Sequence, residues 1–298
     1  MVDHAENNKL EEIEYNPSGS SGFKKFSQTI INTIKDFSTD KGTQWAAAIS
    51  YYSLLSIFPL LLAAITILAF LVSPEWASQQ ITAQLRKFFP TDLSQINSII
   101  KGAIEARGTA SIISIVSLLW SGTSVFATIH TALNVAYGVE KSFGFFKGAL
   151  FKFIMLLGIA LLFIVAYGAQ YAISFLGSQL KVYLPDTQFI VSILLQFVFA
   201  ILLFFVFFLL YRYVPMRLVE WQAAAGGALL ATLLFVAARA LFVVYIQNFT
   251  HYSLIYGSIA ALIIIIFWIW IMAVILILGG ELVANIQRFY FGDKFVSN

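Results

Sequence analysis

Cysteine is absent from the 298-residue chain, which removes disulfides, thiolate nucleophiles and Cys-based metal sites. Charge is scarce: Asp, Glu, Lys and Arg make up 11% of the residues, against about 25% in an ordinary soluble domain. Histidine is sparse as well. His4, His130 and His251 lie far apart in sequence and form no paired-ligand motif, so neither a metal nor any other cofactor is expected. The net charge of +3 is too small to argue for a nucleic-acid partner. No G-x-x-x-x-G-K-S/T motif occurs, so the chain cannot drive a process with ATP alone. Hydrophobic residues, by contrast, make up 60% of the chain and fall in long continuous runs. That pattern excludes a soluble globular enzyme and a disordered chain. It implies an all-α integral membrane protein.

Residues 1–22 carry Asp3, Glu6, Glu11, Glu12 and Glu14 against Lys9, with no apolar core. They read as a disordered acidic cytoplasmic tail rather than a signal peptide. Over residues 23–40, Phe23, Phe26, Ile30, Ile34 and Phe37 recur at helical spacing, with Lys24, Lys25 and Lys35 on the basic side. This predicts an interfacial amphipathic helix on an anionic leaflet; the alternative is a cytosolic extension of the first span.

The six-helix transmembrane domain, 41–290, holds apolar stretches at roughly 44–72, 110–133, 148–177, 188–211, 222–247 and 254–285. Each exceeds the ~20 residues that cross ~30 Å of hydrocarbon. Residues 291–298 form a short cytoplasmic tail. With the N-terminus inside, the cytoplasmic flanks carry Lys24, Lys25, Lys35, Lys41, Lys141, Lys147, Lys152, Arg212, Arg217, Arg288 and Lys294. The outside carries only Arg86, Lys87, Lys101, Arg107 and Lys181. Both termini are therefore expected in the cytoplasm. The long connection 73–109 reads as an outer pair of amphipathic helices, the first opened by Ser73-Pro74-Glu75 and the second by Thr91-Asp92 after Pro90.

Polar residues within spans are costly and mark candidate sites. Arg239 lies seventeen residues past Gln222, ~26 Å along the fifth span. Gln170 and Gln196 fall at a similar outer-half depth. Together they line a cavity for an anionic group in one reading; in the other, Arg239 snorkels to the outer headgroups. Tyr256, in the polar-aromatic turn Asn248 to Ser258, extends the substrate-binding set as an outer gate or belongs to a plain hairpin. Toward the cytoplasmic end, Glu281 is the only acid in any span. Arg212, His130, Asn134 and Gln44 are near its level, so Glu281 either pairs within this inner cluster or anchors a helix end. In span one, Tyr52, Ser53 and Ser56 precede Pro59. They form either a hydrated vestibule or a set of hydroxyls that re-satisfy carbonyls freed by the proline kink. In span five, Ala223, Gly227 and Ala231 allow close helix contact, and with it a dimer.

Several separated segments resemble the BrkB/YihY family of bacterial inner-membrane proteins. They are Ala46 to Leu60 (AAAISYYSLLSIFPL), Ala132 to Gly138 (ALNVAYG), Tyr211 to Pro215 (YRYVP), Tyr252 to Ser258 (YSLIYGS) and Leu278 to Leu282 (LGGEL). The resemblance covers roughly residues 25–288. It implies a six-span protein of the cytoplasmic (inner) membrane, from a family linked to serum resistance and to lipid or lipopolysaccharide export. Some members once carried the label ribonuclease BN, which this sequence argues against, having no His/Asp cluster and no basic groove.

These readings give a non-enzymatic transporter or flippase-like exporter of an amphipathic or anionic lipid. Its expected partners are membrane lipids, with a homo-oligomer or an envelope-assembly partner. The alternative is a non-transporting scaffold or assembly factor for envelope machinery.

Overall fold

The computed structural model describes residues 22–71, 109–139, 187–249 and 253–292, together with isolated positions 148, 158 and 168. The acidic tail, the outer pair over 73–108, most of the third stretch and residues 293–298 lie outside the described residues.

Every element among the described residues is helical. α1 runs Gly22–Thr39, α2 Gly42–Leu71, α3 Thr109–Ala136, α4 Thr187–Tyr213, α5 Trp221–Phe249 and α6 Ser253–Ile286, and a π-helical turn follows at Gln287–Phe291. Runs of Leu, Ile, Phe and Ala with few breakers favour helix throughout, and water-free surroundings force each backbone to satisfy itself. Among the described residues, three segments are long and apolar enough to cross a membrane: Ile193–Tyr213, Trp221–Tyr245 and Ile263–Phe291. α2 spans 30 residues, about 45 Å.

α6 is the hub. It packs against α1, α2, α3 and α5, while α2 pairs with α3 and α4 with α5. Close approach of α5 to α6 depends on small residues. Ala223 and Ala231 are fully buried, and a Cβ on Gly227 would meet the side chain of Val283 and sit 2.7 Å from the carbonyl oxygen of Gly279. The small-residue face expected to permit a dimer is thus consumed inside the chain.

Packing is concentrated at one end, the base, where α2 and α5 begin and where α1, α3, α4 and α6 end. Leu133, Tyr137, Tyr211, Val214, Val219 and Val283 are all at or below 2% exposure there. The opposite halves of α4, α5 and α6 keep large apolar side chains accessible, with Phe197 at 65% and Leu241 at 72%.

Two turns at the base have defined geometry. α3 ends with Gly138 at φ 66°; Gly138 N–H donates to Val135 O (2.9 Å) and Val139 N–H to Asn134 O (2.8 Å). That bond pair is the Schellman closure, for which glycine is the low-cost residue. Between α1 and α2, Lys41 adopts φ 59°, and the next position, Gly42, lies against the ring of Phe37 and has no room for a side chain.

α1 turns its apolar side away from the protein. Ile30 and Ile34, of the face expected on the leaflet, are exposed along with Ile31. The face buried in the protein is Thr29 and Thr33, with Phe37 partly packed on the core. Threonine is compact, and Thr33 satisfies its own hydroxyl by donating to Thr29 O at 2.7 Å. The Thr face can therefore enter protein while the Ile face stays outward.

Candidate functional site

Arg239 and Gln196 are both exposed, on α5 and α4 respectively. The Arg239 guanidinium carbon lies 5.2 Å from the centre of the Phe199 ring, and Gln196 is three residues from Phe199 on the same helix, hence on the same face. The rings continue as a shelf: Phe199 to Phe235 at 6.0 Å, Phe235 to Trp268 at 5.7 Å, and Trp268 stacked on Phe242 at 4.4 Å. A guanidinium over an aromatic face gains about 0.5–2 kcal/mol, more as water is removed. On α5, Ala228, Thr232 and Phe235 are buried, as expected for a face turned into the bundle, but the same face emerges at Arg239. Gln170 lies outside the described residues. Tyr256 lies within α6, since the helix begins at Ser253; the turn expected to run to Ser258 is shorter, and the Tyr256 side chain is outside the description.

At the base the polar cluster is rearranged relative to expectation. Glu281 is 1% exposed, and neither carboxylate oxygen has a hydrogen-bond partner. No hydrogen bond or ion pair joins it to Arg212, Gln44 or His130. Gln44 is exposed, Arg212 is half-buried, and His130 has its own partner. The Asn134 amide nitrogen lies 3.2 Å from the His130 ring nitrogens, and its Oδ1 accepts Met216 N–H at 2.9 Å. Asn134 thus ties α3 to the chain after α4.

The remaining bonds at the base involve residues the sequence reading had not placed in a site. Arg288 donates to Ala136 O (3.1 Å) and Arg217 to Tyr137 O (3.1 Å). Both cations cover carbonyls at the C-terminal end of α3, where the helix dipole favours positive charge. Asn285 donates to Asp36 Oδ2 at 3.0 Å, and Arg288 lies 3.5 Å from the same oxygen. Gln287 Oε1 accepts Glu220 N–H at 2.9 Å, which satisfies one of the orphan donors that open α5. Tyr211 donates to Leu276 O at 2.8 Å. Arg217 and Arg288 had entered only as charges that set orientation. Gly138 just beyond α3 was the available signal, since a helix end needing cations lay beside it.

In α2 the helix runs through Pro59. Ser56 donates to Ser53 O at 2.7 Å and Ser50 to Ala46 O at 2.7 Å. The carbonyl that Pro59 deprives of its helical donor is that of Leu55, so the hydroxyl of Ser56 serves a different one. Tyr52 packs edge-on against Tyr51, and Ser53 is half-buried.

The family described as Virulence factor BrkB matches residues 33–295. The chain belongs to this family. Among the relatives of this BrkB protein, Putative ribonuclease-like protein YfkH of Bacillus subtilis (strain 168) is 25% identical over 85% of the chain and 92% of the relative. A UPF0761 membrane protein of Psychrobacter sp. (strain PRwf-1) is 29% identical over 88% of the chain and 49% of the relative. Another, of Azotobacter vinelandii (strain DJ / ATCC BAA-1303), is 27% identical over 84% and 61%. The chain therefore spans about half to three-fifths of the length of the last two. No solved structure matches. With membrane-protein relatives and three apolar spans among the described residues alone, the BrkB chain is a multi-pass protein of the bacterial inner membrane.

Proposed function

We propose that this BrkB protein is a non-enzymatic, flippase-like transporter of anionic amphipathic lipids, with six spans and its base toward the cytoplasm. The observation that carries the reading is Arg239, an exposed cation resting on Phe199 in the loosely packed half of the bundle. α4 and α5 contain no Asp or Glu, and the one acid of α6, Glu281, is at the base. The protein therefore supplies no carboxylate on these helices to compensate the charge.

An arginine at mid-bilayer costs about 2.5–3.5 kcal/mol on insertion scales. Arg239 lies eighteen residues beyond Trp221, about 27 Å along a helix in a hydrocarbon layer about 30 Å thick. That depth is within reach of an outer-leaflet phosphate, so a lipid headgroup is the natural counter-ion. Gln196 adds amide donors from α4, and the aromatic shelf gives the acyl region an apolar track.

Fluorescent-lipid translocation in proteoliposomes tests this. Arg239→Ala is expected to abolish flux and Arg239→Lys to retain part of it; unchanged flux in Arg239→Ala refutes the role.

A scaffold or assembly role is the second reading, and the outward Ile30, Ile31 and Ile34 of α1 favour it. A partner retained in mild detergent and released by Ile31→Ser, together with no lipid flux in the purified protein, would establish that role instead.

A further inference from the structure

At the base, the one acid of α6 is left over by everything described so far. Glu281 sits in α6 at 1% exposure with no hydrogen-bond donor on either oxygen. Asn285, one turn further along α6, bonds to Asp36 Oδ2 and to the backbone carbonyl of Glu281, and Arg288 bonds to Ala136 O and Asp36. Gln287 Nε2 is buried but makes no bond to the carboxylate. Asp40 and Asp36 are acidic neighbours of Glu281, and Arg288 opposes them. Among the described residues no three acidic or His side chains converge as metal ligands. An ionised carboxylate buried without a donor from the protein is costly, and such a group takes up a proton instead.

The other groups around it do not alter this. α1 contributes Asp36, and the α1–α2 turn contributes Asp40 and the exposed Lys41. α2 offers no charged side chain on the described core face. α3 brings His130, already engaged with Asn134, and its C-terminal end brings Tyr137. α4 contributes Tyr211, bonded to Leu276 O. The segment before α5 contributes Arg217, bonded to Tyr137 O, and Glu220. The described part of α5 carries only Arg239, toward the opposite end of that helix.

We propose that Glu281 is a proton-binding site and that its proton locks α1 onto α6. With the carboxyl neutral, α1 docks through Thr29, Thr33 and Asp36. Loss of the proton leaves a buried anion facing Asp36 and Asp40, and α1 must swing away to admit water. Because the docked state holds the proton and the undocked state releases it, docking is favoured at low pH and lost as pH rises. The proposal is independent of the lipid-transport reading.

The absence of native cysteine makes the test direct. In the full chain reconstituted in lipid nanodiscs, spin labels are placed on Ile31→Cys in α1 and Leu218→Cys before α5, both well exposed (62% and 64%). One distance is expected in acidic buffer, with a second, longer population growing as the pH rises. Glu281→Gln, a permanently neutral isostere, is expected to hold the short distance at every pH. Infrared difference spectra of the wild type across the same series are expected to show loss of a protonated-carboxyl band that Glu281→Gln lacks. An unchanged distance distribution in the wild type overturns the lock. A band of equal size in Glu281→Gln overturns the assignment of the proton. If Glu281→Gln does not fold, the wild-type distance series and the same series in Asp36→Asn decide, the lock requiring a smaller pH response when Asp36 is neutral.

Discussion

Gly226 and Gly227 are neighbours on α5, and the same one-carbon change should separate them sharply. A Cβ at Gly227 meets the side chain of Val283 and stands 2.7 Å from the carbonyl oxygen of Gly279, which is backbone and cannot rotate away. An ordinary C···O contact is about 3.3–3.6 Å, so α5 and α6 must part by more than half an ångström. A gap of that order forfeits a quarter to a half of each dispersion contact along the seam. Overpacking costs about 1–3 kcal/mol, and two simultaneous obstructions put Gly227→Ala at the upper end. Replacing glycine in a helix interior returns about 1 kcal/mol. The net is a destabilisation of about 2 kcal/mol, roughly a 30-fold change in the folded-to-unfolded ratio. At Gly226 the new carbon meets only the terminal methyl of Ile286, at 3.0 Å. A small rotation relieves that contact, so Gly226→Ala is expected to be neutral or slightly stabilising. Thermal unfolding in detergent, followed by loss of the monodisperse gel-filtration peak, compares them directly. Equal stability of the two variants would refute the claim that the α5–α6 seam closes through backbone contact at Gly227.

Other consequences can be measured in the same preparation. Tyr211→Phe keeps the ring stacked on Phe207 but loses the hydroxyl bond to Leu276 O, so about 1 kcal/mol of stability should go. Arg288→Ala removes a half-exposed ion pair worth well under 1 kcal/mol, together with the cap on Ala136 O. Its expected signature is faster trypsin cleavage at Lys41 with little change in global stability; unchanged cleavage would show that Arg288 does not hold α1. Burial, with the neighbouring Tyr211 and Glu281 charges behind it, pushes the Tyr137 phenol well above the usual tyrosine range. The folded state thus keeps a proton that the unfolded chain releases above about pH 10, and stability should fall at alkaline pH. Tyr137→Phe is expected to leave the ultraviolet tyrosinate titration of the folded protein unchanged and to flatten that alkaline loss.

The helices were legible because membrane-length apolar runs leave a chain no other way to satisfy its backbone. The stretches at 44–72, 188–211, 222–247 and 254–285 each fall on a helix within a few residues of the expected ends. Close packing of Ala223, Gly227 and Ala231 was legible for the same reason, since small residues at four-residue steps form a groove. Side-chain partnerships were not. Depth along a span placed Glu281 level with Gln44, His130 and Arg212, but depth says nothing of azimuth, and in the structure these side chains find other neighbours. That the Thr29 and Thr33 side of α1 would enter the protein was not legible, because hydroxyl-bearing residues carry no hydrophobic signal of burial. In a membrane that signal weakens, and the hydroxyls of Thr29 and Thr33 are easier to bury than their polarity suggests. The contact of Arg239 with the Phe199 ring was not readable from rise per residue, because it depends on how α4 and α5 cross.

The bonds from Asp36 to Asn285 and Arg288 join positions 249 and 252 residues apart. On the ribosome, α3 is complete 150 residues before α6 ends, and at about 5–20 residues per second that interval is roughly 8–30 s. Throughout it α1, α2 and α3 exist without the helix that buries their base. The nascent chain must therefore shelter these faces in the insertion machinery or against lipid, and quality control can act on any chain that stops before Gly279.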